Sequence, residues 1–261
     1  MPDGLASGLA VHNPDEQDVT GFPSFPTTGL FGHWDAADLS TITEVGGKVS
    51  QWNDKSGQNN HLLQGTAAQQ PTSGLNTLAT RNVIYFDGGD NTTGNWMRRF
   101  GVNQTQADQE YFVVVRIYSV QPRSGCCLGL WSNNSDRGNV RMIGQTDRRF
   151  RFNNDAVIPG APGDNNDLGA GDGQWNPNGV TGSVLTDLNL PDDAWSYVHL
   201  TKGNNVSNNG AIYTNLRVGG DGVAGGRYAR FDLAELMFYN QALTTEERDR
   251  VLLYLTTKWG L

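Results

Sequence analysis

Residues 49–64 read VSQWNDKSGQNNHLLQ. The run begins as a strand, with Val49, Gln51 and Asn53 on one side and Ser50, Trp52 and Asp54 on the other. It breaks at Asp54-Lys55-Ser56-Gly57, where an Asp side chain can bond nearby backbone and Gly accepts a positive φ. A Trp followed by such a turn is either a corner that fixes the fold or a loop that presents chemistry. The second reading needs a further carboxylate, histidine or metal cluster to converge on it, and the sequence shows none. The expectation is therefore a corner, with Trp52 in the core and a Gly57 substitution that damages folding before binding.

Outward from this stretch the chain reads as short strands and turns. Residues 29–34 (GLFGHW) form a first strand, followed by a turn or single helical turn at 35–38. Residues 39–45, the Gly46-Gly47 turn and 48–54 read as a hairpin or two linked strands. Residues 82–86 (NVIYF) form a strand ending at the turn cluster Asp87-Gly88-Gly89-Asp90, and 111–118 (YFVVVRIY) is the most strongly β run, hence a central strand. Shorter strands are expected at 126–132, 139–144, 148–153, 194–201 and 211–218, and a long closing strand at 228–239. Between 154 and 193 the composition shifts to Gly, Asn, Asp and Pro around an isolated Trp175, which fits a long surface insertion or a weak pair of strands. The last element is a helix over 248–258. Thr244 can cap it while Glu247 reaches back, Val251, Leu255 and Trp259 recur at four-residue spacing, and Gly260 sits where a C-cap belongs. Many short strands, no fixed-period repeat and one terminal helix specify an all-β protein, a two-sheet antiparallel jelly-roll sandwich with one C-terminal α-helix.

Composition narrows the function classes. In 261 residues, 37% hydrophobic content is enough for a real core, and 33 Gly with 10 Pro agree with many turns. The net charge of −8 argues against a nucleic-acid partner, which needs a basic face. No 18-residue apolar run exists, so no membrane span is expected. Residues 1–19 have neither a basic start nor a sustained apolar run, so no signal peptide is expected and the protein is expected to be made in a host cytoplasm. Residues 1–28 carry Asp3, Asp15, Glu16 and Asp18 and are broken by Pro2, Pro14, Pro23 and Pro26. They read as an extended arm that docks on a partner through Phe22 and Phe25, leaving 29–261 as the domain. Cys126 and Cys127 are adjacent, a spacing that strains a disulfide, and are expected to be reduced.

Several pieces in succession carry a resemblance: Trp34-Asp35-Ala36, VSQWNDKSG with His61-Leu62-Leu63-Gln64, Pro71, Val83-Ile84-Tyr85-Phe86-Asp87-Gly88, and AELMFYNQALTTEERDRVLLYLTTKWG at 234–260. In this order they resemble the concanavalin A-like, laminin-G-like jelly rolls (lectin/glucanase superfamily) of phage and bacterial surface proteins. The resemblance runs from residue 29 to the end. It implies two sheets packed face to face, first and last strands close together, and the terminal helix on an edge or corner of the sandwich.

The resemblance also sets a test for chemistry. Enzymes of this fold that cut glucans carry E-x-D-x-x-E or E-x-D-x-E on one strand, which places two carboxylates on one face. None of Glu16, Glu44, Glu110, Glu235, Glu246 and Glu247 starts such a motif. Asp232 lies three residues before Glu235 and is expected on the opposite face, with Glu235 buried and bonded to a neighbouring strand. His12, His33, His61 and His199 are scattered, which argues against a transition-metal site. Calcium remains open at Asp87 and Asp90, and no other cofactor is implied. Glycan-binding candidates are Trp131, beside Asn133-Asn134, and Trp175, beside Asn176 and Asn178.

Together these readings give an expected function: a non-enzymatic virion structural protein, either a capsid decoration or head-fibre protein or a tail-associated one. It would dock on other capsid or tail proteins and present a lectin-like jelly roll for weak adhesion to host-surface glycan, with a homo-oligomer among the states left open. The alternatives are a free carbohydrate-binding module, or a glycoside hydrolase with an unrecognised site in 154–193.

Overall fold

The bend after Trp52 is built as its residue types require. Both Asp54 carboxylate oxygens are used: Oδ1 accepts the backbone N–H groups of His33 and Ser56 at 2.8 and 2.9 Å, while Oδ2 accepts the Ser56 hydroxyl and the Asn60 N–H at 2.7 and 2.9 Å. Gly57 stands at φ 84°, and Trp52 is fully buried. The expected corner is present, and the bond from His33 ties it to the first strand.

The computed structural model describes residues 21–89, 92–104, 109–118, 128–131, 141–143, 149–151, 173–176, 182–183, 193–202, 213–220 and 228–261. Its strands are β1 (Leu30–Asp35), β2 (Ile42–Val45), β3 (Lys48–Trp52), β4 (Leu62–Leu63), β5 (Thr72–Leu78), β6 (Arg81–Asp87), β7 (Met97–Gln104) and β8 (Gln109–Ile117). They continue as β9 (Leu128–Trp131), β10 (Arg141–Ile143), β11 (Arg149–Arg151), β12 (Gly173–Asn176), β13 (Gly182–Ser183), β14 (Trp195–Lys202), β15 (Tyr213–Val218) and β16 (Arg230–Tyr239), before helix α1 (Thr245–Trp259). Asp35 ends β1 and opens the expected turn, its carbonyl accepting the Asp38 N–H at 3.3 Å, and a short helical turn follows at Leu39–Thr41. β2 and β3 form the expected hairpin, with Gly46 and Gly47 at φ 59° and 77°. Two consecutive positive-φ residues match the right-handed twist of the strands they join.

Pairing is antiparallel and runs in the order β13-β12-β14-β8-β16-β6-β5-β3-β4-β7-β15-β9, with β1 on β16 and β2 on β3; β10 and β11 form a separate ribbon. This is one large curled sheet of 14 strands with a single C-terminal helix. The two expected sheets are joined, because β3 pairs with β5 at Lys48–Thr72 and β4 with β7 at Leu63–Arg98. The curl brings far-apart strands together: a Cβ built on Gly219, just after β15, would lie 2.4 Å from the Phe86 ring on β6. The inner face holds the main core, with Trp34, Trp52, Phe86, Val113, Leu216 and Phe238 among its members. As expected, β8 is central, lying between β14 and β16, and the first strand pairs with the last.

Helix α1 has the expected termini. Thr244 accepts the Glu247 N–H while Glu247 accepts the Thr244 N–H, and Gly260 closes the helix at φ 69°. Val251, Leu255 and Trp259 are fully buried. They pack on Val83, Phe112, Val114, Met237 and Tyr239, so the helix lies on the outer face of the sheet and not on an edge or corner. That face can take it because β8 and β16 are apolar on both sides, which contributes about 1.5–3 kcal/mol for each large apolar side chain fully buried.

Candidate functional site

Along β16 the side chains of Phe231, Leu233, Leu236 and Phe238 enter the inner core, while Ala234, Met237 and Tyr239 join the helix-side cluster. The register slips between Leu233 and Glu235. This bulge puts Asp232 and Glu235 on the same outer side, correcting the expectation that they oppose one another. A residue inserted into a strand shifts the alternation by one position, and the sequence carries no mark of it.

Glu235 lies beneath the helix and is fully buried. His33 Nε2 lies 2.6 Å from its Oε1, which also accepts the Tyr254 hydroxyl at 2.8 Å; Oε2 accepts Lys258 Nζ at 2.7 Å and Trp259 Nε1–H at 2.6 Å. Burial alone would push its carboxyl up. The bond from His33 and the Lys258 charge outweigh that and hold it down to about 2. His33, Asp35 and Glu235 bring ligand atoms within 4.8 Å of one another, so the histidines are not all scattered. The position of the cation is taken by the protein itself, because Lys258 Nζ is 2.7 Å from both Asp35 Oδ1 and Glu235 Oε2. Lys55 bonds the other Asp35 oxygen at 2.9 Å.

A second buried carboxylate, Glu110 on β8, accepts from His199 at 2.7 Å, from Arg248 through Nε and a terminal nitrogen, and from the Leu243 N–H at 2.8 Å. Burial opposes its ionisation, but the bonds from His199, Arg248 and Leu243 lower its pKa. Both clusters fasten the helix and its entry to the sheet. Neither offers a carboxylate to solvent.

The helix covers only part of the outer face. Beyond it, Trp195, Arg116, Asp232 and Tyr85 stand in register across β14, β8, β16 and β6. Three inter-strand spacings make this row roughly 14 Å long. Asp232 is fully buried, and Trp195, Arg116, Tyr118 and Tyr85 are half-buried. Asp232 Oδ2 accepts Arg116 Nε–H and the Tyr118 hydroxyl, each at 2.8 Å, and its Oδ1 accepts Asn76 Nδ2–H at 2.9 Å. Arg116 lies over the rings of Trp195 and Tyr118, each at 5.2 Å, and Arg230 over Tyr118 at 5.0 Å. Burial, then the hydrogen bond to Asp232 and its charge, push the Tyr118 phenol up to about 12, so it stays protonated and donates at neutral pH. The result is a fixed surface of aromatic rings and donor groups. The sequence does carry a signal for it: polar residues at i and i+2, Arg116/Tyr118 and Arg230/Asp232, in otherwise apolar strands.

The sequence-derived candidates lie elsewhere. Trp131 ends β9 with its Cα opposite Asn215, and Trp175 and Asn176 lie in β12 opposite Val198 and Tyr197. Residues 173–176 and 182–183 therefore form short strands in the stretch read as an insertion or a weak strand pair. Asp87 Oδ1 accepts the Gly89 N–H at 3.1 Å. Asp90, Cys126, Cys127, Asn133, Asn134 and Asn178 lie outside the described residues, as do residues 1–20 of the arm. The rings of Phe22 and Phe25 lie 6.3 and 4.6 Å from that of Tyr254 on this chain's own helix. Among the described residues, no helix is long and apolar enough to cross a membrane.

No protein-family model matches the chain, and no curated protein matches it. Solved structures do. Trypanosoma rangeli sialidase in complex with 2,3-difluoro-KDN matches with TM-score 0.54 and 12% identity over 96% of this chain and 36% of that one. The same sialidase in complex with sialic acid matches with TM-score 0.53 and 14% identity over 93% and 35%. Domain 4 of a GH43 extracellular arabinanase from Geobacillus stearothermophilus, in complex with arabinotriose, matches with TM-score 0.46 and 10% identity over 86% and 98%. The chain spans about a third of the length of the sialidase chains it matches. At this identity the sialidase likeness is one of fold, a lectin/glucanase-like β fold. It also corrects the functional expectation. The sialidases are glycoside hydrolases and not virion proteins, so neither the virion, capsid or phage role nor the exclusion of an enzyme stands.

Proposed function

We propose that the chain works in carbohydrate processing as a glycan-recognising β-domain, with the sugar laid along the row Trp195–Arg116–Asp232–Tyr85. The observation that carries this is the row itself. Its half-buried aromatic rings sit beside fixed donors on the part of the face that the helix leaves uncovered. Sugars present apolar C–H faces and a rim of hydroxyls, which match ring faces and rigid N–H and O–H donors respectively. Asp232 serves by holding Arg116, Tyr118 and Asn76 in place. The sialidase fold likeness points in the same direction.

The finer affiliation with concanavalin A-like, laminin-G-like jelly rolls belongs to the same proposal, as does the division into an arm at 1–28 and a domain at 29–261. The strand, capped helix and Gly260 ending supports the affiliation. The test is binding of the full chain to a panel of neutral polysaccharides by affinity electrophoresis. Trp195→Ala is expected to weaken retention at least tenfold while leaving the melting temperature within a few degrees; equal retention by the variant overturns the proposed site. Hydrolysis is the second reading, favoured by the glycoside hydrolases among the matched structures. Release of reducing ends from a bound polymer is its test.

A further inference from the structure

Lys258, beneath the helix, is a nucleophile that the glycan row does not use. Its side chain is only 4% exposed, in the last turn of α1, and a buried ammonium is costly unless it is paired. Nζ lies 2.7 Å from both Asp35 Oδ1 and Glu235 Oε2, and donates to the Tyr254 hydroxyl at 2.9 Å. The Asp35 carboxyl carbon is thus one C–O bond beyond an atom the amine already touches. The surroundings match what amide formation needs. Asp35 Oδ2 accepts Lys55 Nζ at 2.9 Å, a positive charge on the oxygen where an oxyanion would develop. Oδ1 is fixed by the Ala37 N–H at 3.0 Å. Glu235 touches the amine and is itself held by His33, Tyr254 and Trp259. Phe25 closes over His33 with ring centroids 5.3 Å apart. Asp35, Glu235, Lys258 and Trp259 are all buried, which keeps bulk water from the group.

We propose that Lys258 and Asp35 condense into an intramolecular isopeptide bond, with Glu235 moving the protons and Lys55 holding the oxyanion. Glu235 takes a proton from the Lys258 ammonium. The free amine attacks Asp35 Cγ as Glu235 passes that proton on to Oδ1, which leaves the negative charge on Oδ2 beside Lys55. Glu235 then takes a second proton from the attached nitrogen and delivers it to Oδ1. The Cγ–Oδ1 bond breaks, water departs, and Nζ and Cγ are left joined as an amide. One ammonium and one carboxylate give one amide and one water. Glu235 ends as it began, and no oxidant or co-reactant is consumed. The step is unimolecular, because amine and carboxyl are already in contact. Burial favours the product, since two interior charges disappear and the water returns to solvent. The remaining charges keep partners: the new amide N–H still faces Glu235 Oε2, and Lys55 keeps Asp38 at 2.9 Å. The bond ties β1 to α1 and closes a loop over most of the chain, which stabilises the fold against unfolding. It does not depend on the glycan reading.

The experiment is an intact-mass measurement of the folded full chain, followed by tryptic mapping. The wild type is expected to weigh one water less than its sequence. Lys48 is the first cleavage site and Arg250 the last before Lys258. Trypsin should therefore release residues 1–48 and 251–261 as one branched peptide joined through Asp35 and Lys258. Lys258→Arg, which keeps the charge, is expected to have its full mass, as is Glu235→Gln, which keeps both reacting side chains. Lys55→Gln, at a partly exposed position, is expected to slow the loss of water in freshly synthesised chain by about tenfold or more. Wild type of full mass, with 1–48 and 251–258 released separately from protein that melts cooperatively, overturns the proposal. A lost water that maps elsewhere, such as a succinimide at Asp87-Gly88, overturns it equally. Complete linkage in Glu235→Gln overturns the role of Glu235, and an unchanged rate in Lys55→Gln that of Lys55.

Discussion

Gly57 and Gly219 both sit at positive φ, 84° and 93°, but what surrounds them differs. A Cβ on Gly57 would meet nothing within 4 Å, whereas one on Gly219 would lie 2.4 Å from the Phe86 ring and 2.6 Å from the Asn95 carbonyl oxygen. Gly57→Ala should cost about 1 kcal/mol, the backbone penalty alone. Gly219→Ala should add about 1–3 kcal/mol of overpacking to that. Urea unfolding of the two variants checks this, and equal midpoints would refute the packing argument. The contrast also shows what is legible at this scale. Gly57 is recognisable as a turn glycine from Asp54, Lys55 and Ser56 beside it. Gly219 lies in an undistinguished glycine-rich run, and its importance comes from a ring 133 residues away in the chain.

At the scale of elements, the helix–sheet contact depends on Lys258, whose ammonium bridges Asp35 on β1 and Glu235 on β16. Removing one partner of a buried ion pair leaves uncompensated charge and costs about 3–5 kcal/mol. Lys258→Ala should therefore lower the melting temperature sharply. It also vacates the one cation position among His33, Asp35 and Glu235, whose ligand atoms lie within 4.8 Å of one another. Zinc is expected to raise the melting temperature of Lys258→Ala and to leave the wild type unchanged; a calorimetric scan with and without metal decides it. The helix was readable from Thr244, Glu247, Val251, Leu255, Trp259 and Gly260, all within one short stretch. Its place on the sheet face was not, because that depends on which side of β16 its polar residues occupy, and the bulge at Leu233–Glu235 sets this without changing residue types.

For the whole molecule, the two buried glutamates, Glu235 and Glu110, set the response to acid. Glu235 is held at about 2 against an ordinary 4.5, and Glu110 is also lowered. A folded-state pKa below the unfolded value gives stability that is fully present above the unfolded pKa and is lost as pH falls through the folded one. The melting temperature should thus be level near neutral pH and fall between about pH 4.5 and 2. Glu235→Gln should start lower and fall less steeply across that window. An identical slope in wild type and variant would show that these carboxylates do not govern acid unfolding. Because Glu235 and Glu110 fasten the same helix from different strands, protonation should release the helix and its sheet face together.

The sequence by itself determined the local pieces: the corner at Asp54–Gly57, the Gly46-Gly47 hairpin, the central β8, the closing strand and the capped helix. Turn chemistry, alternation and capping act over a few residues, so neighbouring residues suffice to specify them. Only the tertiary structure decided that the strands join in one curled sheet, that Asp232 and Glu235 share a face, and that Lys258 occupies the cation position of a buried His-Asp-Glu set. It alone brought Trp195, Arg116, Asp232 and Tyr85 into one row. That row depends on register between strands far apart in the chain. Register follows from bulges and packing summed over the whole sheet, which no short stretch of sequence encodes.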